Sequence, residues 1–336
     1  MTDSQTTRFF TSDDVSGLAT MAEYVEAVRK GYRDRGRGAP ANPRTTLFAE
    51  SPAGMLTGYT AILPDVGVMG GYTYAAGFGG RDAHFVLPLF DAASGDPLAV
   101  FDGASLNPFK TGATGGVAID ELAPARADDL ALFGSGPQAR AQLKAAASVR
   151  ELERVEVYSP TADHRMNFAA EMNEQLDATV AAVASPSAAV EGADIVVTAT
   201  NASEPVFDGS MLEPGTHVTI MGQYHPEKRE VDTTTVERAT YIPDLRDRVM
   251  NDAGSFIHAV EEGVVTEEHV HAELGEIVAG KARGRTSDDE ITLFDSGGTA
   301  IETVAAAKLL YDRAVEAGLG EEIEFAPASE ALTGQE

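Results

Sequence analysis

Residues 130–143, LALFGSGPQARAQL, carry the densest chemical signal in the chain. They spell Gly134-Ser135-Gly136-Pro137-Gln138-Ala139, a G-x-G-x-x-A pattern that directly follows a strand-like apolar run and opens a helical one. Gly134 permits the tight turn, Gly136 lets backbone approach a pyrophosphate, and Ala139 lets the helix pack closely on the strand. The helix N-terminus adds free N–H groups and a positive dipole end, so the chemistry is dinucleotide binding. A second stretch, Ile195–Asn201, ends a strand in Thr198, Thr200 and Asn201, polar tips of the kind that open α/β sheets offer to ligands. Roughly 20 residues past the fingerprint, where an acid would hold a ribose 2′-hydroxyl, the chain reads Tyr158-Ser159-Pro160-Thr161. No acid stands at that tip. Ser159, Thr161 and Arg165 suit a 2′-phosphate, so the reading leans to NADP(H), with Asp163 keeping NAD(H) open.

The elements around these residues set their context. From Asp128 onward, strands (Leu130–Phe133, Val155–Tyr158, Thr179–Val183, Ile195–Thr198, His217–Met221, Tyr241–Pro243) alternate with helices (Gln138–Val149, Ala162–Leu176), which implies right-handed crossovers and a parallel sheet. The N-terminal part differs. A helix is expected within residues 11–35, capped by Ser12 or Asp13, followed by short strands at Thr45–Phe48 and Met55–Leu63 and a hairpin over residues 84–101. A long helix is expected over residues 299–317, and the polar tail Glu321–Glu336 is expected to fray. The fold class is therefore α/β. A Rossmann-type doubly wound parallel sheet over 126–299 adjoins an α+β domain over 1–125, completed by a C-terminal helix at 300–325.

Composition narrows the function classes. The 336 residues hold 25 basic and 53 acidic side chains, a net charge of −28, which repels nucleic acid and anionic membrane. With 43% hydrophobic residues the chain is not a disordered acidic tail, so the acidity points to a high-salt solvent and a halophilic setting. It has no Cys, which removes disulfides and thiolate chemistry. The seven His are scattered and no metal-ligand spacing stands out, so no metal is expected. No apolar run reaches a membrane span and the first residues are polar and acidic; a cytoplasmic location is expected.

Several segments in order, Pro88-Leu89-Phe90-Asp91 with Ser94-Gly95, Lys110-Thr111-Gly112-Ala113, Phe133–Arg140, and Ile291–Ser296 before the last helix, resemble the ornithine cyclodeaminase/mu-crystallin family. The resemblance implies a subunit with a nicotinamide-dinucleotide domain and a substrate and dimerisation domain, in a homodimer. It also implies hydride transfer between nicotinamide and the Cα of an amino or imino acid, with Thr111, Gly222 and Ser296 near the cofactor. Arg44 stands where the family holds the substrate carboxylate, and a guanidinium fork suits that task.

Three positions depart from the family pattern. Tyr72, or Thr73 with a one-residue shift, stands where the family places a Lys after glycine. Lys110 replaces an Arg in its Arg-Thr pair, which leaves Lys110 as a carboxylate or proton partner. Gln223 stands where cyclodeaminases carry a basic Asp, which argues against cyclodeamination. Tyr72, His84 and Asp295 remain as groups for the nitrogen proton, with His84 also a substrate contact and His225 a further titratable group. The expected activity is thus an imine reductase or amino acid dehydrogenase, such as an alanine dehydrogenase. The alternatives are a cyclodeaminase with recycled NAD and a binding protein without turnover.

Overall fold

A computed structural model describes residues 6–79, 82–325 and 327. Their strands are β1 (Thr6–Phe10), β2 (Thr45–Glu50), β3 (Ala53–Leu63), β4 (Val68–Ala76), β5 (His84–Asp91), β6 (Pro97–Asp102), β7 (Asp129–Phe133), β8 (Arg154–Tyr158), β9 (Thr179–Ala182), β10 (Ile195–Thr198), β11 (His217–Ile220), β12 (Thr240–Pro243), β13 (Thr292–Asp295) and β14 (Glu321–Glu324). The α-helices are α1 (Ser12–Val15), α2 (Met21–Arg37), α3 (Leu106–Leu122), α4 (Pro137–Val149), α5 (Ala162–Asn173), α6 (Pro186–Val190), α7 (Thr233–Arg238), α8 (Val249–Asp252), α9 (Gly254–Glu261), α10 (Leu274–Val278) and α11 (Ala300–Glu316).

One sheet runs β14-β1-β6-β5-β4-β3-β2, antiparallel except where β1 pairs with β6. In β3 the buried Thr57, Tyr59, Ala61 and Leu63 alternate with the exposed Leu56, Thr60 and Ile62, the period of a sheet covered on one face only. The cover comes from α2 and α11: Tyr24, Val28 and Tyr32 of one helix and Ile301, Val304 and Ala305 of the other share a core with the sheet. The N-terminal helix starts later than expected. Thr20 and Glu23 form a capping box that opens α2, whereas Ser12 and Asp13 belong to the single turn of α1, capped by Thr11. The tail also departs from expectation, because Glu321–Glu324 pairs antiparallel with β1; beyond it only residues 325 and 327 are described.

The second sheet runs β12-β13-β11-β10-β7-β8-β9 with every pairing parallel. Strands β10, β11 and β13 are buried along their whole length, as a sheet covered on both faces requires. Strand order extends one way through β7, β8 and β9 and the other way from β10. This reversal between β7 and β10 opens a crevice at their carboxyl ends.

Helix α3 joins the two sheets. Its glycines explain both its tight packing and the weakness of its signal in the sequence: a Cβ on Gly112 would meet the Ala141 carbonyl of α4, and one on Gly116 would press on Val25 and Ala145. Backbones approach closely there, and α3 delivers Lys110 and Thr111 to the crevice.

Candidate active site

The crevice is a chain of three hollows. The central cavity, about 390 Å³, is lined by Arg44, Met55, Tyr59, Tyr74, Phe85, Asn107, Lys110 and Thr111 together with Gly136, Pro137, Gln138, Thr200, Asn201, Met221, Gly222, Tyr224 and Ser296–Gly298. Beyond the fingerprint lies a second hollow of about 560 Å³ walled by Phe133, Gly134, Tyr158, Ser159, Pro160, Asn201 and Pro205. An outer chamber of about 640 Å³ shares Arg44, Met55, Asn201, Gly222 and Tyr224 with the central one and adds Gln223, His225 and Lys228.

The fingerprint residues divide their work by geometry. Gly134 has φ +120° and a Cβ there would collide with the Ala199 carbonyl, so the turn itself demands glycine. At Gly136 nothing lies within 4 Å of the Cβ position; the space is open where a pyrophosphate would lie. Gly136 is the N-cap of α4 with no side-chain cap, and Pro137 follows, so the helix N-terminus faces the crevice with its amides free of side-chain partners. Ala139 is fully buried against β7 and its neighbours. Ser135 and Ser159 join hydroxyls at 3.2 Å. Arg165 donates from Nη1 to the Ser159 carbonyl at 2.9 Å, and Thr161 caps α5 without a side-chain bond. These features, with the unpartnered Gln138 Oε1, fit a dinucleotide along the Gly134–Gln138 turn.

Two cations converge in the cavity lining. Arg44 donates from Nη2 to the Gly297 carbonyl at 2.7 Å and stacks between Tyr224, 4.1 Å from its ring centroid, and Tyr59, at 5.4 Å. Its Nε and Nη1 are buried with no hydrogen-bond partner. Lys110 is buried and donates to Glu302 Oε1 at 3.1 Å. Burial pulls its pKa down, but Tyr59 and Glu302 more than offset that, leaving it above the ordinary lysine value. Glu302, at the third position of α11, also closes a capping box with Thr299. Among the described residues, the cavity lining therefore carries two positive groups and no carboxylate. With Glu302 behind Lys110, the local balance is one net positive charge.

A buried network holds the turn that Arg44 touches. Asp244 Oδ2 accepts from the backbone N–H of Gly297 at 2.9 Å and of Gly298 at 3.1 Å, and from Ser296 Oγ at 3.2 Å. Arg248, itself buried, binds Asp244 and Asp295, each at 2.5 Å. Asp244, Arg248 and Glu302 went unrecognised in the sequence, because a charged residue inside a fold is visible there only when its partner is known.

Several expectations are corrected. Tyr72 does not line the cavity: it is buried beneath Lys110, whose Nζ sits 5.6 Å from its ring centroid, and its hydroxyl donates to the Gly103 carbonyl at 2.7 Å. Burial holds its pKa well above the ordinary tyrosine value. Tyr74, two residues on along the same face of β4, lines the cavity instead, its hydroxyl pushed by burial to about 12. His84 is exposed, and it is its neighbours Ala83 and Phe85 that face the cavity. Asp295 does not reach it either, being tied to Arg248 and to the Tyr241 hydroxyl at 2.6 Å. Burial raises its pKa, against the pull of Arg248 and Tyr241. Thr198 is buried behind the wall and donates to Glu230. Thr111, Thr200, Asn201, Gly222 and Ser296 do line the cavity. Among the described residues no cluster of three or more His, Asp or Glu converges to hold a metal, and no helix is long and apolar enough to cross a membrane.

Known proteins match this arrangement. A Delta(1)-pyrroline-2-carboxylate reductase of Bacillus cereus is 36% identical over 248 residues, 74% of this chain and 76% of that protein. The structure of the Thermococcus litoralis Delta(1)-pyrroline-2-carboxylate reductase in complex with NADH and L-proline superposes with a TM-score of 0.88 at 33% identity, covering 94% of this chain and 100% of the other. An archaeal alanine dehydrogenase dimer with bound NAD gives the same TM-score, 0.88, at 31% identity, covering 96% of this chain and 100% of that one. The family profile matches residues 5–318, and the chain belongs to the ornithine cyclodeaminase/mu-crystallin family.

Proposed function

We propose that the protein reduces a small, largely apolar imino monocarboxylate at Cα, with NADP(H) as its preferred cofactor. At the coarser level it is a nicotinamide-dependent oxidoreductase acting on the C–N bond of amino or imino acids. The observation that carries the finer reading is Arg44: a guanidinium in the cavity wall with Nε and Nη1 buried and unpartnered. Such donors cost free energy until an anion meets them. One net positive charge matches one carboxylate, and Met55, Tyr59, Tyr74, Phe85 and Met221 leave an apolar wall for the rest of the substrate.

The roles follow. Arg44 and Lys110 hold the carboxylate and so fix Cα at the crevice, while the tyrosine and Met walls exclude water. When bound, the reduced nicotinamide supplies the hydride. A protonated imine brings its own proton, so the reduction needs no acid from the protein, and among the described residues the cavity lining has no His, Asp or Glu. The lack of a carboxylate among the described lining residues also disfavours the cyclodeaminase reading, which calls for a base and for recognition of a second amine. The clamp speaks against a pure dinucleotide binder. We divide the subunit into a substrate and dimerisation part, residues 1–125 with 300–325, and a cofactor part, residues 126–299, in a cytoplasmic homodimer.

Cofactor preference rests on the tip of β8. Ser159 lines the hollow at that tip, Arg165 donates to its carbonyl, Thr161 follows two residues on, and the strand end carries no carboxylate. Arg165→Ala is expected to weaken NADPH binding by about tenfold and NADH by much less, read by titration calorimetry. Equal loss for both would remove the NADP assignment. A substrate series read by nicotinamide absorbance tests the carboxylate count: cyclic and open imino monocarboxylates should turn over, and dicarboxylic imines poorly.

A further inference from the structure

Glu230 is a buried acid that the mechanism above leaves unused. It precedes α7 in the chain and reaches back beneath the carboxyl ends of β10 and β11. Its Oε1 accepts from the Thr200 amide at 2.8 Å and the Thr200 hydroxyl at 2.7 Å, and its Oε2 from the Thr198 hydroxyl at 2.8 Å and the Gly222 amide at 2.7 Å. Both backbone partners can only donate, one to each oxygen. Glu230 is 2% exposed; burial raises its pKa against the pull of these bonds, and no cation ranks among the leading influences. A buried carboxylate without a cation costs stability, and hydrogen bonds offset only part of that cost.

Its position gives the charge a use. Thr200 and Gly222, the two residues it ties together, both line the central cavity, as do Arg44 and Lys110. A Cβ on Gly222 would strike both the Thr200 carbonyl and Glu230 Oε1, so the carboxylate lies directly behind that wall. Hydride transfer to an iminium breaks a C–H bond of the dihydronicotinamide, forms one at substrate Cα and returns the C=N π pair to nitrogen. One positive charge thereby moves from the substrate to the nicotinamide ring.

Resting on the cofactor reading above, we propose that Glu230 is a positioning residue that joins the two strand-end loops and whose negative charge favours the cationic, oxidised nicotinamide over the neutral, reduced one. It thereby assists hydride donation by stabilising charge where it develops.

Calorimetric titration of the full chain with NADP⁺, NADPH and 2′-phospho-ADP-ribose tests this, with NAD⁺, NADH and ADP-ribose in parallel. Glu230→Gln is expected to weaken the oxidised form by about tenfold more than the reduced form, the order of effect a unit charge exerts across several ångströms of protein. Glu230→Asp keeps the charge and should retain most of the wild-type ratio, though both forms bind less tightly. If Glu230→Gln weakens both forms by the same factor, Glu230 only joins the loops and the charge proposal is overturned. Should Glu230→Gln not fold, the wild type decides: its nicotinamide should add more affinity over the ADP-ribose fragment when oxidised than when reduced, and the opposite order overturns the proposal. Binding of neither redox form by the wild type would overturn the cofactor reading itself, an outcome separate from an unchanged ratio.

Discussion

Arg44 carries the proposed substrate recognition, and its contacts tie it to the fold. Its Nη2 is spent on the Gly297 carbonyl, its faces on Tyr59 and Tyr224, and two further nitrogens remain for a ligand. Arg44→Ala is expected to raise the KM for an imino acid on the order of 100-fold, the loss of a buried charge-assisted pair, with cofactor affinity unchanged by calorimetry. Tyr72→Phe should leave kcat within about twofold and lower stability by about 1 kcal/mol, the worth of its bond to Gly103; a large fall in kcat would restore it to the chemistry. Arg44 and Lys110 were legible because the resemblance marked their positions and a cation there suits a carboxylate. Tyr72 was misread for a physical reason. Alternation along β4 puts Tyr72 and Tyr74 on one face, but only the second reaches the end of the strand that opens on the cavity.

Among the elements, the β7–α4 unit was the most legible, because its glycines and its apolar run specify one turn. The structure assigns the two glycines different duties, and each can be tested. Gly136→Val places its side chain in open space, so it should abolish dinucleotide binding while changing the melting temperature little. Gly134→Ala faces a positive φ and the Ala199 carbonyl, so it should lower stability by about 2 kcal/mol in denaturant titration. Helix α3 was the least legible. Gly112, Gly115 and Gly116 in its interior are poor helix formers, and they are tolerated because their bare faces admit α4, a fact of tertiary packing that no local pattern reports. The strand β14 was missed for a related reason: Glu321–Glu324 is mostly acidic, and it becomes a strand only by pairing with β1.

For the whole molecule, charge and the open sheet face set the terms. A net charge of −28 makes self-repulsion a large destabilising term at low ionic strength. The melting temperature is therefore expected to rise by about 5 °C or more between dilute buffer and molar KCl, and a flat salt response would contradict the halophilic reading. On the uncovered face of the first sheet, Leu56 is 46% exposed, Ile62 41% and Val86 51%, an apolar surface of the kind that a second copy covers. If this face makes the proposed homodimer, Ile62→Glu with Val86→Glu halves the sedimenting mass relative to wild type; an unchanged mass places the interface elsewhere. The central claim, hydride transfer to an imino acid clamped by Arg44, is tested most directly by nicotinamide absorbance in high KCl, following NADPH or NADH oxidation with Δ1-pyrroline-2-carboxylate in wild type and Arg44→Ala. Oxidation by the wild type that requires the imino acid and collapses in the variant is the predicted result. Tight cofactor binding without oxidation for any imino monocarboxylate would contradict it.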